Sequence, residues 1–369
     1  MSSHKRVIFF GTYNVVTTPR VEVLMQGMRA NGIDVVECNV PLNVSTAERV
    51  AILQQPWRLP VLGWRMVGCW LKLMRLARKM PKADAVIIGY MSQFDAHLAK
   101  RLFKGVPIVL DCMVTGAGVA TDRNARGTSM KMKLVQWLDD SAFKLADIIV
   151  LDTVEHQELV PDEQRDKTVV VLVGSSQHFF DAGAARKPSE AKAPLQVFFY
   201  GNYTPLQGAP VIGRAITRLK TPMNITMVGS GQDEVEAKRE ASTSKDVAVT
   251  WIPWVEGAAL AELMASQDIC LGIFGTTPKA QRVVPNKIFH GAATACALIT
   301  SDTPPQRRVL HDAALFVPAG DDEALATTIE ELAANRKELK RLQKAAYERA
   351  LKSFTPKAIV RPLLDMLGW

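Results

Sequence analysis

Three side chains able to hold an anion or move a proton stand close together in residues 282–302, RVVPNKIFHGAATACALITSD: Arg282, Lys287 and His290. Pro285 and Asn286 suit a helix start, which puts Lys287 in the first turn, Arg282 just before it and His290 one turn further on. A helix N-terminus presents unpaired N–H groups and the positive end of its dipole. Cations at that end oppose the dipole unless an anion lies between, so the stretch reads as a phosphate site. Two solvated surface charges are the plainer alternative. For His290, a cap or core histidine stands beside a hydrogen bond to a ligand.

Two more positions carry chemistry at the ends of apolar runs. Gly11 closes VIFFG and opens the loop GTYNVVTTPR, with Arg20 at the start of the next helix. A glycine there lets a ligand approach the backbone. Asp111 closes PIVLD, where a carboxylate either orients or deprotonates an acceptor hydroxyl, or caps the loop that follows.

These residues need elements to hold them. VIFF (7–10), DVVEC (34–38), AVIIG (85–89), PIVLD (107–111), DIIVLD (147–152) and TVVVLV (168–173) are short, β-branched and continuously apolar. That is the pattern of strands covered on both faces of a parallel sheet. Between them PRVEVLMQGMRANG (19–32) reads as a helix ending on glycine. A second series runs LQVFFYG (195–201), NITMVG (224–229), VAVTWI (247–252), DICLGIF (268–274), ALITSD (297–302) and ALFVPAGD (314–321). Residues 174–194, rich in Ala, Gly, Ser, Pro and charge, read as the connection. The pattern predicts an α/β protein with two Rossmann-like domains facing a central cleft lined by loops from the carboxyl ends of the strands. The expected boundaries are 1–175, a linker at 176–194, 195–345, and C-terminal helices at 346–369 that pack back toward the first domain.

Segments 195–230 and 268–325 resemble the C-terminal domain of family 4 glycosyltransferases, in a bacterial branch. The carriers are FFYGNYTPLQGAPVIGRAI, VPNKIFHGAATACALITSD and LFVPAGDDEALATTIEEL. FFGTYNVVTTPRVEVLMQGMRANGIDVVECN and LADIIVLDTVEHQEL are similar to the first half of the same proteins, so the resemblance covers nearly the whole chain. It implies the GT-B fold, with an N-terminal acceptor domain and a C-terminal donor domain. It also implies a nucleotide diphosphate sugar as substrate, no cofactor, and retention at the transferred sugar, with the leaving diphosphate stabilised electrostatically. No metal is expected where Arg282, Lys287 and helix N-termini supply the positive field. By the same resemblance the donor is held at Gly201, Asn202, Gln207 and Gly229, and the nucleobase at Trp254 and Val255.

The chain departs from the family at the donor site. Where the family commonly has Gly-Arg and Lys-Gly, this chain has Gly201-Asn202 and Gln207-Gly208. The family's paired glutamates fall on Arg282 and His290. Lys287 and Arg282 are therefore expected to carry the phosphate charge, and His290 to meet a ribose hydroxyl. A nucleotide-sugar-binding subunit without turnover, or a GT-B-fold nucleotide-sugar epimerase, is the alternative.

The formal charge of +8 calls for anionic partners. Much of it sits in residues 49–82, which hold Arg49, Arg58, Arg65, Lys72, Arg75, Arg78, Lys79 and Lys82, with Trp57, Trp64 and Trp70 between them and no acidic residue. Cations with interfacial aromatics suit a surface lying on anionic lipid. An amphipathic helix packed on the first sheet is the other reading. No nucleic-acid module surrounds the segment, so no nucleic-acid partner is expected. No apolar run is long enough to span a bilayer, and VIFF is too short for a signal core. Together these point to a cytoplasmic protein, peripheral on the inner membrane face, with a lipid-linked or glycan acceptor. Cys38, Cys69, Cys112, Cys270 and Cys296 are scattered and lack CxxC spacing, as expected of reduced thiols.

Overall fold

Each of the twelve apolar runs named above contains a strand. The structure is a computed structural model and describes residues 4–15, 19–42, 59–90, 92–113, 129–187, 193–242, 244 and 247–369. By contact the chain divides into two units, Met1–Leu172 with Pro356–Trp369, and Val173–Thr355.

The first unit contains β1 (Arg6–Gly11), α1 (Pro19–Ala30), β2 (Asp34–Asn39), α2 (Leu59–Ala77), β3 (Ala85–Ile88), α3 (Asp95–Leu102), β4 (Ile108–Asp111), α4 (Ser129–Leu145), β5 (Ile148–Leu151), α5 (Val154–Gln157) and β6 (Thr168–Val170). The strands are parallel and ordered β2-β1-β3-β4-β5-β6. Central strands such as Val7–Phe10 and Ala85–Ile88 are wholly buried, because helices cover both faces.

The second unit contains α6 (Gln177–Ala184), β7 (Leu195–Tyr200), α7 (Ala209–Arg218), β8 (Met223–Val228), α8 (Glu234–Ala241), β9 (Val247–Ile252), α9 (Gly257–Ala265), β10 (Ile269–Leu271), α10 (Asn286–Ala293), β11 (Ala297–Ser301), α11 (Pro304–Leu310), β12 (Leu315–Val317), α12 (Asp322–Ala334) and α13 (Arg336–Ser353). Its parallel sheet is ordered β9-β8-β7-β10-β11-β12. Leu195, Val197, Phe199, Ile225, Ile269 and Ile299 lie in its largest core.

Two sequence expectations are corrected here. Much of the expected linker is α6, in which Phe179 and Phe180 are buried. Composition hid this helix, but two adjacent phenylalanines need a core. Gly183 lies so close to α10 that a Cβ there would stand 2.0 Å from the Ala293 carbonyl oxygen. The second boundary also moves: α13 continues past 345 to Ser353, and the chain rejoins the first unit at Pro356. There the short helices α14 (Pro356–Ile359) and α15 (Arg361–Met366) bury Ile359, Leu363 and Leu364 against the first sheet's core.

Candidate functional site

Strand order locates the ligand edge of each sheet. In open α/β sheets, ligands bind beyond the carboxyl ends of the strands, at the point where the order reverses. In the second unit this point lies between β7 and β10. Loops from both strands meet there, the Phe274 N–H donating to the Gln207 carbonyl at 3.1 Å. From the first turn of α10 the Lys287 ammonium donates to Gln207 Oε1. Its Nζ stands 3.8 Å from the centre of the Phe199 ring and 5.9 Å from that of Tyr200. Gly201, at φ +152°, leaves room for it, since a Cβ there would be 3.1 Å from Nζ. Gly229, at φ +129°, lets the end of β8 close on the end of β7; its Cβ would be 1.9 Å from the Gly201 carbonyl oxygen.

Lys287 is only 2% exposed. Among the described residues no carboxylate forms an ion pair with it. Burial pushes the ammonium down from 10.5 to about 7. A buried cation without a counter-ion is unfavourable, so what this place lacks is negative charge. The amide groups at the start of α10 add to the same positive field.

His290, one turn further along, points elsewhere. Its Nδ1 lies 2.5 Å from the Tyr200 hydroxyl, and Phe179 of α6 stacks on its ring at 3.9 Å. Burial drives the imidazole down to about 3 and the Tyr200 phenol well above 10. The neutral phenol and the neutral imidazole share one hydrogen bond at Nδ1. His290 therefore fastens α10 to β7 and α6, and its Nδ1 is not available to a ribose. Arg282 is half-buried in the preceding loop and Asn202 is exposed. Trp254 is 57% exposed beyond the edge strand β9, its indole donating to Glu256 at 2.9 Å, and Val255 is half-buried beside it.

In the first unit the order reverses between β1 and β3. The group buried there is a carboxyl group, that of Asp95 at the start of α3. It accepts from the Thr12 N–H at 2.6 Å, the Thr12 hydroxyl at 2.8 Å and the Trp70 indole of α2 at 2.7 Å. Burial raises the Asp95 carboxyl and these hydrogen bonds oppose the rise. Gly11 backs onto Asp95: a Cβ would be 2.9 Å from Oδ2.

Arg20 and Asp111, expected at a ligand, are joined to each other instead. Arg20 Nε donates to Asp111 Oδ1 at 2.8 Å, and its terminal nitrogens donate to the carbonyls of Leu172 and Val171, each at 3.1 Å. Arg20 is 2% exposed and Asp111 fully buried. The pair clamps α1 to the ends of β4 and β6 through Asp111 Oδ1, while Oδ2 has no hydrogen-bond partner among the described residues. A second buried carboxylate pair, Asp152 Oδ1 with His156 Nδ1 at 2.6 Å, fastens α5 to β5.

Residues 212–365 match the model of a family described as glycosyl transferase-like. Among solved structures, the chain is similar to sucrose-phosphate synthase from Thermosynechococcus elongatus (TM-score 0.71, 13% identity, 98% of each chain covered). It is also similar to Anabaena HepE in complex with UDP and glucose (TM-score 0.67, 12% identity, 99% of this chain and 100% of that one). A third is an alpha-glucosyltransferase in complex with UDP-glucose and DNA containing an abasic site (TM-score 0.67, 12% identity, 100% of each). The fold is GT-B. No curated protein matches the chain by sequence.

Of the donor-side residues singled out in the sequence, the GT-B second half brings together Lys287, Gln207 and Gly201, with Gly229 against Gly201. It puts Trp254 and Val255 beyond β9, two strands from β7. Sequence reasoning missed Tyr200 and Phe199, although both stand in the quoted FFYG. It also missed Asp95, whose neighbours Thr12 and Trp70 are 83 and 25 positions away in the chain.

The basic segment divides. Leu73 of α2 is buried and Trp70 turns inward to Asp95. Val61, Trp64, Val67 and Leu71 form an exposed apolar stripe, Trp64 being 81% exposed, with exposed Arg65, Lys72 and Arg75 on the same helix. Arg49, Trp57 and Arg58 lie outside the described residues. None of the helices described is long and apolar enough to cross a membrane.

Proposed function

We propose that the protein is a glycosyltransferase that moves a sugar from a nucleotide diphosphate sugar to a lipid-linked or glycan acceptor at an anionic membrane face. The observation that carries this reading is Lys287: a buried ammonium with no counter-ion among the described residues, at the switch point of a GT-B second half. The UDP and UDP-glucose complexes of the structural neighbours support a diphosphate as the missing anion.

In this reading Lys287, Arg282 and the first amides of α10 hold the diphosphate, with Gly201, Asn202, Gln207 and Gly229 framing it. Trp254 and Val255 receive the nucleobase, and His290 positions Tyr200 and α10 without touching substrate. The bond between the anomeric carbon and the β-phosphate oxygen breaks, and its electron pair leaves with the diphosphate. The ammonium stabilises that charge with no call on a metal or cofactor. The acceptor oxygen bonds to the anomeric carbon on the face the diphosphate leaves, giving retention, and its proton passes to the departing phosphate oxygen. The first unit takes the acceptor at the Gly11–Thr12 loop. The stripe on α2 and its cations suit anionic lipid and support a reading in which the protein works at the cytoplasmic face of the membrane.

Turnover is the test. Purified protein is incubated with nucleotide sugars and anionic vesicles made from a membrane extract, and released nucleoside diphosphate is measured. A transferase releases nucleoside diphosphate and labels the lipid fraction. Tight donor binding without release indicates a binding subunit, and an altered nucleotide sugar indicates an epimerase.

A further inference from the structure

Resting on the donor reading above, we propose that the protein takes up a proton at Lys287 when it binds the donor diphosphate, so that donor affinity depends on pH through this side chain. Among the described residues Lys287 has one polar side-chain partner, Gln207 Oε1, and otherwise meets aromatic faces. An amide oxygen accepts from an ammonium but brings no charge to balance it, whereas a diphosphate brings both. The titratable groups near it do not substitute. Cys270 of β10 approaches the Lys287 carbonyl at 3.5 Å, with its thiol pushed well above 9 by burial. Tyr200 of β7 is held as the neutral phenol, and His290 on α10 as the neutral imidazole, with His178 of α6 behind it. Among the described residues the other elements packed on α10, namely β11, α9 and α13, bring no charged group to Lys287. Without ligand the ammonium therefore gives up its proton near pH 7; with the diphosphate against it the proton stays.

The consequence is opposite to that of a surface lysine, which is charged throughout this range. With a ligand-free value of about 7, donor affinity weakens about tenfold between pH 6 and pH 8. Binding takes up about 0.9 proton at pH 8 and about 0.1 at pH 6.

The experiment is calorimetric titration with UDP-glucose, UDP-N-acetylglucosamine, dTDP-glucose and GDP-mannose, each a diphosphate diester with no phosphate that titrates between pH 6 and pH 8. Each is run at both pH values in two buffers of different ionisation enthalpy. The expected result is a tenfold loss of affinity with proton uptake at pH 8. In Lys287→Arg, whose guanidinium stays charged, or in Lys287→Gln if the arginine variant does not fold, the pH dependence disappears. Binding with equal affinity at both pH values and no proton uptake overturns the proposal and leaves the donor reading standing. A slope that persists in Lys287→Gln overturns it as well, by assigning the proton to another group. If none of the four probes binds, the donor reading and the proposal fall together.

Discussion

Asp95 at the first switch point and Lys287 at the second occupy comparable places in two parallel sheets, each buried beyond the carboxyl ends of the strands. Their surroundings differ. Asp95 accepts three hydrogen bonds, from a loop amide, a hydroxyl and an indole. Lys287 makes one among the described residues, to an uncharged amide. Arg20 repeats the first pattern, with Asp111 and two carbonyls satisfying its guanidinium. A buried charge whose bonding capacity is met by its own chain holds the fold. One left without a counter-ion keeps capacity for something that arrives, and its cost is borne by the empty protein.

The largest test of this comparison breaks the answered charge. Arg20→Met or Asp111→Asn should lower unfolding free energy in urea by about 3–5 kcal/mol, because each strands the other partner. The double variant Arg20→Met/Asp111→Leu should lose less than the two single losses combined. If Asp111→Asn instead leaves stability intact and removes transfer, Asp111 serves the acceptor after all.

Removing the unanswered charge should act in the opposite direction. Lys287→Met is expected to raise stability by about 2–4 kcal/mol at pH 6, less than the full penalty of the shift because repacking is imperfect. The sign follows from linkage. The folded value of about 7 lies below the unfolded 10.5, so between them the unfolded chain binds more protons and wild-type stability rises with pH. The gain from Lys287→Met should therefore be largest below pH 7 and shrink toward pH 10. A variant that is less stable than wild type at pH 6 would show that Lys287 supports the fold rather than straining it.

Trp70→Phe is a milder disturbance. It removes one of three donors from Asp95, with an expected loss of about 1.5–3 kcal/mol and faster hydrogen exchange at the Thr12 amide. Unchanged exchange there would separate α2 from the Gly11–Thr12 loop. The smallest effects belong to the exposed face of α2. Changing Arg65, Lys72 and Arg75 together to Gln should cost about 1 kcal/mol of vesicle affinity per cation near the surface, with the loss diminishing as salt rises. Equal sedimentation on neutral and anionic vesicles, or none on either, would remove lipid as the occupant of this face.

Strands were the most legible part of the molecule. Runs such as AVIIG and ALITSD are apolar throughout because both faces of each sheet are covered, and that pattern survives without tertiary context. The helix start at Pro285–Asn286 was equally plain, and with it the position of Lys287. What could not be read was pairing across the chain. That Arg20 meets Asp111 rather than a ligand depends on how α1 lies on β4 and β6. Similarly, the bond from His290 to Tyr200 depends on the packing of α10 against β7. Types and spacing identify a group that can ionise; only packing shows whether its charge has been answered.

The central claim is that the second switch point needs one ammonium, whichever element delivers it. Gln207 Oε1 touches Lys287 Nζ, so a lysine at 207 reaches the same place from the β7 loop. Calorimetry with the donor that binds wild type should show Lys287→Gln weakened by roughly tenfold to a hundredfold, the loss of one charge-assisted contact. Gln207→Lys/Lys287→Gln should recover most of that loss. If Lys287→Gln stays folded and binds the donor as tightly as wild type, the ammonium is not part of the donor site and the account is wrong.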